Sequence, residues 1–282
     1  MKKTLRLKRH ETFSIREGWL EKGINILPEN PKSLSKENGP FNYGLGSNMC
    51  KSLRYWLEAC KLAKFGQNGA FLTTLGEMLR KNDPYLESDF SWWMIHCNLA
   101  MNVEDAPVIN AFFNLPINRM DKEYIFRNLK EQFEIEYGSV GSDSSLDSDI
   151  SVLLKSYYSD DDSNPENNMN CPFAKLGLIS VAEKKTYIKT APAFSSLSFK
   201  VVYWCIINCL NDTFRAANGG YALNVEDLCL LHNNPLNIFN ISKSTLFLYL
   251  EEMKKAGYIN LVKTAGLNTV YIDNVLELED LF

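Results

Sequence analysis

Apolar positions between residues 45 and 62 recur at three- and four-residue spacing, with polar positions between them. This period predicts an amphipathic helix whose inner face carries Met49, Leu53, Trp56 or Leu57, and Cys60. Ser47 or Asn48 is predicted to cap the helix, because either side chain can accept a backbone N–H of the first turn. The outer face is predicted to be polar and basic, with Asn48, Lys51, Ser52, Arg54 and Tyr55.

A β-hairpin is predicted directly after this helix. Residues 64–73 contain Asn68-Gly69, a dipeptide that favours a type I′ turn because both central residues of that turn have positive φ. A helix followed by a hairpin is the order of a winged helix, in which the helix meets DNA and the hairpin forms the wing. An amphipathic core helix followed by an ordinary hairpin explains the same pattern, so both interpretations stay open.

The same spacing predicts helices through the first two thirds of the chain. They lie at residues 13–23, 74–81, 88–101, 104–114, 121–134 and 144–158, and a β-hairpin is predicted over 179–189.

The C-terminal part repeats the order of helices followed by a hairpin. Gly177 and Gly257 are predicted to take the left-handed conformation that ends a helix before a strand. The elements are helices at 197–216, 224–232 and 242–256, then strands at 258–263 and 268–273 joined across Ala265-Gly266.

The predicted fold class is therefore mainly α with small β-hairpin wings, in two or three winged-helix-like units. We expect three domains. Residues 1–81 form an N-terminal winged-helix-like DNA-binding unit. Residues 82–192 form a middle helical unit with an acidic loop and a hairpin, and residues 193–282 form a C-terminal winged-helix unit.

Composition is that of an ordinary globular protein. The 282 residues are 45% hydrophobic and 23% charged, and the longest apolar run, 201–207, is far shorter than the roughly 20 residues that span a bilayer. The basic start lacks the apolar segment of a secretory signal. We therefore expect a cytoplasmic protein with no membrane partner, and seven cysteines kept as reduced thiols.

Charge is distributed unevenly along the chain. The net charge is −4, yet residues 1–64 hold 13 Lys and Arg against 6 Asp and Glu. A basic end on an acidic body places any contact with a polyanion at that end. Lysines that merely solvate a terminus explain the same distribution.

The helix predicted at 242–256 lacks this basic face. Its outward side carries Phe247, Leu248 and Glu251, and acidic groups in the middle of a helix repel phosphates. Exposed apolar side chains favour a protein contact instead. We expect these three residues to bind a second copy of the chain or another protein.

A DNA-nicking enzyme needs an activated nucleophile, groups that stabilise the pentavalent phosphate and usually a divalent metal. His10, Glu11 and Arg16 form the best local set, because they supply an imidazole, a carboxylate and a guanidinium within the basic part of the chain. The structural interpretation is that His10 and Glu11 cap and orient the first helix, with Arg16 paired to Glu11 or Glu17.

Three other groups of acidic, Cys and His residues are weaker candidates for a metal site. The acidic groups lack the spacing of a calcium loop and indicate a solvated acidic loop, and the Cys and His set lies on predicted core helices. These groups are Asp143, Asp147 and Asp149; Asp160, Asp161 and Asp162; and Cys205, Cys209, Cys229 and His232.

Four blocks of sequence resemble a bacterial family known as a domain of unknown function. They are residues 9–23, residues 45–57, Leu72-Thr73 with Gly76, and residues 83–87. The family occurs beside reductase-like enzymes in DNA-modification and phage-defence islands. The chain is also similar to the B component of the Ssp system, which replaces a non-bridging phosphate oxygen of DNA with sulfur on one strand. The resemblance implies DNA binding and attributes strand nicking to that component, without assigning catalytic residues.

The first hypothesis is a DNA-binding component of a bacterial DNA phosphorothioation system. It binds double-stranded DNA with the helix at 47–61 and the wing near Asn68, and it nicks one strand with Mg²⁺ or Mn²⁺ as candidate cofactor. Other proteins of the operon and a homodimer are the candidate partners. The alternative is a non-catalytic winged-helix adaptor that binds protein partners, and the salt dependence of DNA affinity distinguishes the two.

Overall fold

The computed structural model describes residues 5–158, 171–264 and 267–282. The chain folds into two compact units, Met1–Thr190 and Ala191–Phe282. The division predicted at residue 82 falls inside the first unit and stays a prediction. Asp160–Asp162 and the turn at Ala265-Gly266 lie outside the described residues.

The first unit is mainly helical, with a two-stranded and a three-stranded antiparallel sheet. Its elements are α1 (Trp19–Ile26), α2 (Gly39–Tyr43), α3 (Ser47–Ala59), β1 (Ala63–Gly66), β2 (Gly69–Leu72), α4 (Thr74–Asn82), α5 (Asp89–Ala100), α6 (Pro107–Asn114), β3 (Arg119–Met120), α7 (Lys122–Tyr137), α8 (Asp143–Tyr157), a 3₁₀ helix (Pro172–Leu176), β4 (Ile179–Ala182), a 3₁₀ turn (Glu183–Lys185) and β5 (Thr186–Lys189).

The second unit combines helices with one three-stranded antiparallel sheet of order β6-β8-β7. Its elements are α9 (Phe199–Cys209), a 3₁₀ helix (Asp212–Phe214), β6 (Tyr221–Asn224), α10 (Val225–Leu230), α11 (Pro235–Ile238), α12 (Lys243–Lys255), β7 (Asn260–Thr264), β8 (Leu267–Ile272) and a 3₁₀ helix (Leu278–Leu281). The mainly α class with small β-sheets is thus confirmed, and the assignment of winged helices stays a prediction.

Several helices begin where the sequence supplies a capping side chain. Thr73, Ser88, Asp121, Ser142 and Ser242 each accept a hydrogen bond from a backbone N–H in the first turn of the next helix. These bonds satisfy donors that the helix itself leaves unpaired. The five helices accordingly start within one residue of the predicted positions.

The start of α1 and the cap of α3 differ from the prediction, and α6 begins at Pro107 rather than at residue 104. α1 begins at Trp19, not at residue 13, because Gly18 has a φ of 76°, which lies outside the helical region. α3 is preceded by Gly46, and neither Ser47 nor Asn48 caps it. The residues before α1 therefore form a non-helical segment.

The core of the first unit forms around the predicted face of α3. Leu53, Trp56 and Leu57 are fully buried, and α1 packs against this face. Gly23 of α1 allows the close approach, since a Cβ there would lie 2.6 Å from Cδ2 of Leu57. Burial of three large side chains stabilises α3 far more than its short length could.

The hairpin of β1 and β2 forms as predicted, but its turn differs. Gly66 lies opposite Gly69, so the loop is Gln67-Asn68, and neither residue has the positive φ of a type I′ turn. The tip is fixed by Pro31 instead, whose carbonyl oxygen accepts the N–H of Ala70 at 2.8 Å. A Cβ on Gly69 would lie 2.8 Å from Cβ of Pro31, so this approach requires glycine.

The second unit contains a strand that the periodicity did not predict. β6 pairs with β8, with Tyr221 opposite Ile272, so the predicted two-stranded wing belongs to a three-stranded sheet. The sequence of β6, Tyr-Ala-Leu-Asn, does not alternate between apolar and polar residues, so the periodicity gives no strand signal there. α9 also ends at Cys209 rather than 216, because Leu210 is extended and the Asn211 side chain accepts the N–H of Thr213.

The left-handed conformations predicted for two glycines are confirmed, with φ of 65° at Gly177 and 77° at Gly257. The seven cysteines are free thiols. Within the described ranges, no helix is long and apolar enough to cross a membrane.

A buried lysine ends β5. Lys189 is 7% exposed, and its Nζ donates to the carbonyl oxygens of Phe113 at 3.0 Å and Leu115 at 2.8 Å, at the end of α6. The ammonium also lies 5.1 Å from the centre of the Phe112 ring. Burial lowers the pKa of Lys189 from 10.5 to about 7.

Because the pKa of Lys189 is lowered, we expect this residue to make the stability of the protein depend on pH. Between pH 7 and 10.5 the unfolded chain holds a proton on Lys189 that the folded chain has released, so the contribution of Lys189 to the free energy of unfolding rises with pH across that window. The contribution is up to about 5 kcal/mol. Urea denaturation at several pH values should show that the free energy of unfolding of Lys189→Met, relative to the unaltered protein, falls as pH rises through this window. Equal slopes in the two proteins would mean that Lys189 keeps its ordinary pKa.

Candidate nucleic-acid interface

The segment Lys8–Arg16, here named the N-terminal arm, is fixed to α8 by one carboxylate. Asp149 accepts the backbone N–H of Lys8 at 2.9 and 3.1 Å and the Nε2–H of His10 at 2.9 Å. Nδ1 of His10 accepts the N–H of Thr12 at 3.1 Å, so both ring nitrogens are occupied. His10 is 3% exposed, and the adjoining cavity of about 10 Å³ has room for about one water molecule.

The arm turns sharply where it carries these contacts. Lys8, Glu11 and Thr12 have positive φ of 59°, 49° and 69°. Such backbone conformations cost roughly 1 kcal/mol or more each for residues other than glycine. The bonds to Asp149 offset this cost, so the shape of the arm depends on them.

A second ionic contact holds the arm over α3. Arg9 donates to Glu58 and to Asp105, each at 2.6 Å, and its guanidinium lies 5.5 Å from the centre of the Tyr55 ring. Burial raises the pKa of Asp105, but the hydrogen bonds from Arg9 and Asn102 lower it overall. Burial, and next the charge of Asp149, raises the pKa of Tyr55, which therefore stays neutral.

The three predicted catalytic residues have different neighbours. His10 is enclosed, the carboxylate of Glu11 lies 3.6 Å from Nζ of Lys51, and the guanidinium of Arg16 lies 5.8 Å from the rings of Phe13 and Trp19. This geometry favours a structural role, although His10 anchors the arm to α8 and does not cap the first helix. A catalytic role stays a prediction.

The acidic residues of α8 do not fit a divalent metal. Both oxygens of Asp149 accept bonds from the arm, Asp143 pairs with Lys130 at 2.8 Å, and Asp147 pairs with Lys122 at 2.7 Å. Among the residues that the structure describes, no three His, Cys, Asp or Glu side chains are grouped so that they could hold a metal ion. No ligand for Mg²⁺ or Mn²⁺ is therefore assigned.

The outer face of α3 is narrower than predicted. Asn48, Lys51 and Arg54 are exposed, whereas Ser52 and Tyr55 are 0% and 7% exposed. The prediction that these two face outward is wrong. They lie on the side of α3 that the N-terminal arm covers, where the Ser52 hydroxyl is 3.5 Å from the carbonyl oxygen of Phe13.

The β1–β2 hairpin contacts α3 through Arg54. The guanidinium carbon of Arg54 lies 4.6 Å from the centre of the Phe65 ring on β1, a cation–π contact that joins α3 to the hairpin. Lys64 and Asn68 are exposed. We name the exposed residues Asn48, Lys51, Arg54, Lys64 and Asn68 the basic face.

The sequence alone did not lead us to name Lys64 and its neighbour Phe71 as candidate binding residues. The two residues lie opposite each other in the hairpin, and both are exposed. The alternation along the strands was the signal that could have found them. Ala63, Ala70 and Leu72 are buried, so residues 64 and 71 must point outward.

In the second unit, the predicted partner residues of α12 differ in exposure. Leu248 is 54% exposed, Phe247 is half-buried, and Glu251 pairs with Lys263 of β7 at 2.6 Å. Leu248 is therefore the apolar contact that this helix offers. Binding of a partner there stays a proposal.

The sequence matches a family model described as "Protein of unknown function (DUF4007)" over residues 7–281. The chain belongs to this family. No curated protein matches the sequence.

Two solved structures share the fold of this DUF4007 protein. A crystal structure of magnesium ion-bound SspB has 23% identity and a TM-score of 0.83, and the match covers 95% of this chain and 83% of that one. A further SspB crystal structure has 22% identity and a TM-score of 0.82, covering 95% and 84%. The predicted resemblance to the B component of the Ssp system is thus confirmed at the level of the fold.

The contacts of Asp149 predict its contribution to stability. Asp149→Ala leaves His10 and the Lys8 N–H without their acceptor, so the free energy of unfolding should fall by about 3 kcal/mol in urea denaturation. Asp147→Ala is the control, because Asp147 lies on the same helix, is 53% exposed and makes a surface ion pair. Surface pairs contribute little. Equal losses in both variants would contradict an anchoring role for Asp149.

Proposed function

We propose that this protein is the DNA-binding component of a DNA phosphorothioation system, and that the basic face of the first unit binds the duplex. The observation that supports this most is the exposure of Lys51 and Arg54 on α3 and of Lys64 on the hairpin that Arg54 contacts. The shared fold with SspB supports the assignment to a phosphorothioation system. Binding of DNA is the part that experiment must test.

Most acidic side chains near the basic face already form ion pairs within the protein. Glu58, the acid of α3, is held by Arg9 at 2.6 Å, and Asp105 is held by the same guanidinium. Glu11 lies 3.6 Å from Lys51, in an exposed pair that salt and phosphate can readily replace. Lys51, Arg54 and Lys64 can therefore pair with phosphates without strong competition.

The geometry suits a helix in a groove with a hairpin beside it. α3 has 13 residues, long enough to lie along the major groove, and Asn48 and Arg54 carry groups that bind base edges as well as phosphates. Arg54 is held over Phe65 and so reaches out from a fixed position. We propose on this basis that α3 and β1–β2 act as a winged helix.

The second unit supports a complementary role. Leu248 is exposed on α12 next to half-buried Phe247, and adjoining apolar side chains at a surface favour a protein contact. We propose that Phe247, Leu248 and Glu251 contact another protein of the modification operon or a second copy of the chain. An adaptor that binds only proteins is the alternative function, and it predicts no salt-dependent binding of DNA.

Charge variants test the basic face directly. Lys51→Glu should weaken binding of any duplex roughly tenfold, and it should reduce the slope of log affinity against log salt by about one. Arg54→Ala should also change sequence preference if its guanidinium reaches a base. Fluorescence anisotropy at several salt concentrations measures both effects.

Lys155→Glu is the matched control for this prediction. Lys155 is exposed on α8, so the same change of charge lies on a different helix and should leave affinity unchanged. A flat salt dependence of the unaltered protein would instead support the adaptor.

Nicking of one strand belongs to the same proposal, without an assigned catalytic residue. The protein should convert supercoiled plasmid to the relaxed form with Mg²⁺ or Mn²⁺ and not with a chelator. Because His10 is enclosed, His10→Gln that remains folded should keep this conversion. Loss of conversion with plasmid still bound would make His10 catalytic. Binding of plasmid by the unaltered protein without relaxation would assign the nicking to its partners.

A further inference from the structure

The outer surface of the β1–β2 hairpin carries an aromatic ring beside a cation. Phe71 is 57% exposed, and Lys64 lies directly opposite it on the neighbouring strand. Side chains in this relation are about 5 Å apart at their Cβ atoms. The ring of Phe71 and the ammonium of Lys64 therefore share one surface.

The orientation of Phe71 is imposed by the hairpin. Ala63, Ala70 and Leu72 are buried on the opposite side, and a slip of one residue would expose Leu72 in place of Phe71. The carbonyl oxygen of Pro31 binds the N–H of Ala70, next to Phe71, at 2.8 Å. Phe71 is thus held outward by a fixed backbone.

The surroundings of this ring suit a nucleic acid better than an apolar partner. Lys64 is exposed beside the ring, and residues 61–72 contain no acidic residue. Arg54 adds a positive charge from the other side of the same two-stranded hairpin, where it contacts Phe65. An aromatic ring on a positive surface offers a nucleobase a face for stacking while the cation pairs with a phosphate. Bases inside an intact duplex already stack on both faces, so the ring requires a base that has left the stack.

We propose that Phe71 and Lys64 hold an unpaired nucleotide of the DNA that α3 binds. The base stacks on the ring of Phe71, and the adjoining phosphate pairs with Lys64. This inference rests on the proposed function and specifies its substrate, which is duplex DNA interrupted by a short single-stranded gap.

Binding of matched DNAs tests this proposal. The probes are an intact duplex and the same duplex with a short central gap, the latter carrying 2-aminopurine as an unpaired base. The unaltered protein should bind the gapped duplex more tightly and quench 2-aminopurine by stacking. Phe71→Leu should weaken binding of the gapped duplex roughly 5- to 100-fold and abolish the quenching, with little change for the intact duplex. Lys64→Gln should weaken binding of the gapped duplex and leave part of the quenching.

Phe41→Leu is the control variant. Phe41 is 92% exposed on α2, and residues 39–43 contain no charged side chain, so it offers an exposed ring without a cation beside it. Its variant should bind both DNAs normally. An equal loss in the two phenylalanine variants would overturn the proposal.

The outcomes separate this inference from the proposed function. Equal affinity of the unaltered protein for intact and gapped DNA overturns the stacking site alone. An equal loss on both DNAs in Phe71→Leu also overturns it, because the ring would then contact the duplex. Absence of binding to either DNA overturns the proposed function, and this inference with it.

Discussion

The carboxylate of Asp149 is the contact on which the candidate site depends. It accepts bonds from the backbone of Lys8 and from the ring of His10, and these bonds hold the N-terminal arm across α3. The arm buries Ser52 and Tyr55, two polar residues that would otherwise widen the polar side of the helix. On α3, the basic face consists of the polar residues that the arm does not cover.

Arg9 complements this contact by forming ion pairs with two carboxylates near the candidate site. One guanidinium binds Glu58 and Asp105 from two different elements, so the charges of both acids are balanced within the fold. Lys51, Arg54 and Lys64 remain exposed on α3 and the hairpin, although the whole chain has a net charge of −4. The distribution of charge matters more for binding a polyanion than its sum.

Much of the fold could be predicted from local pattern, and much of the site could not. Helices with a capping side chain, such as α4 after Thr73, start where predicted because the cap and the apolar period act within a few residues. The pairing of His10 with Asp149 spans 139 residues, and no local pattern reports it. The burial of Tyr55 depends on that pairing, so periodicity alone placed this residue on the wrong side of α3. β6 escaped prediction because its partner β8 lies far along the chain.

The separation of His10 from Asp149 also bears on biosynthesis. The arm leaves the ribosome before its acceptor on α8, which is made 139 residues after His10. During that interval Tyr55 and Trp56 of α3 lack the segment that covers them, and the strained turn at Glu11 and Thr12 has nothing to hold it. The surface proposed to meet DNA is therefore completed late, after most of the first unit has been translated.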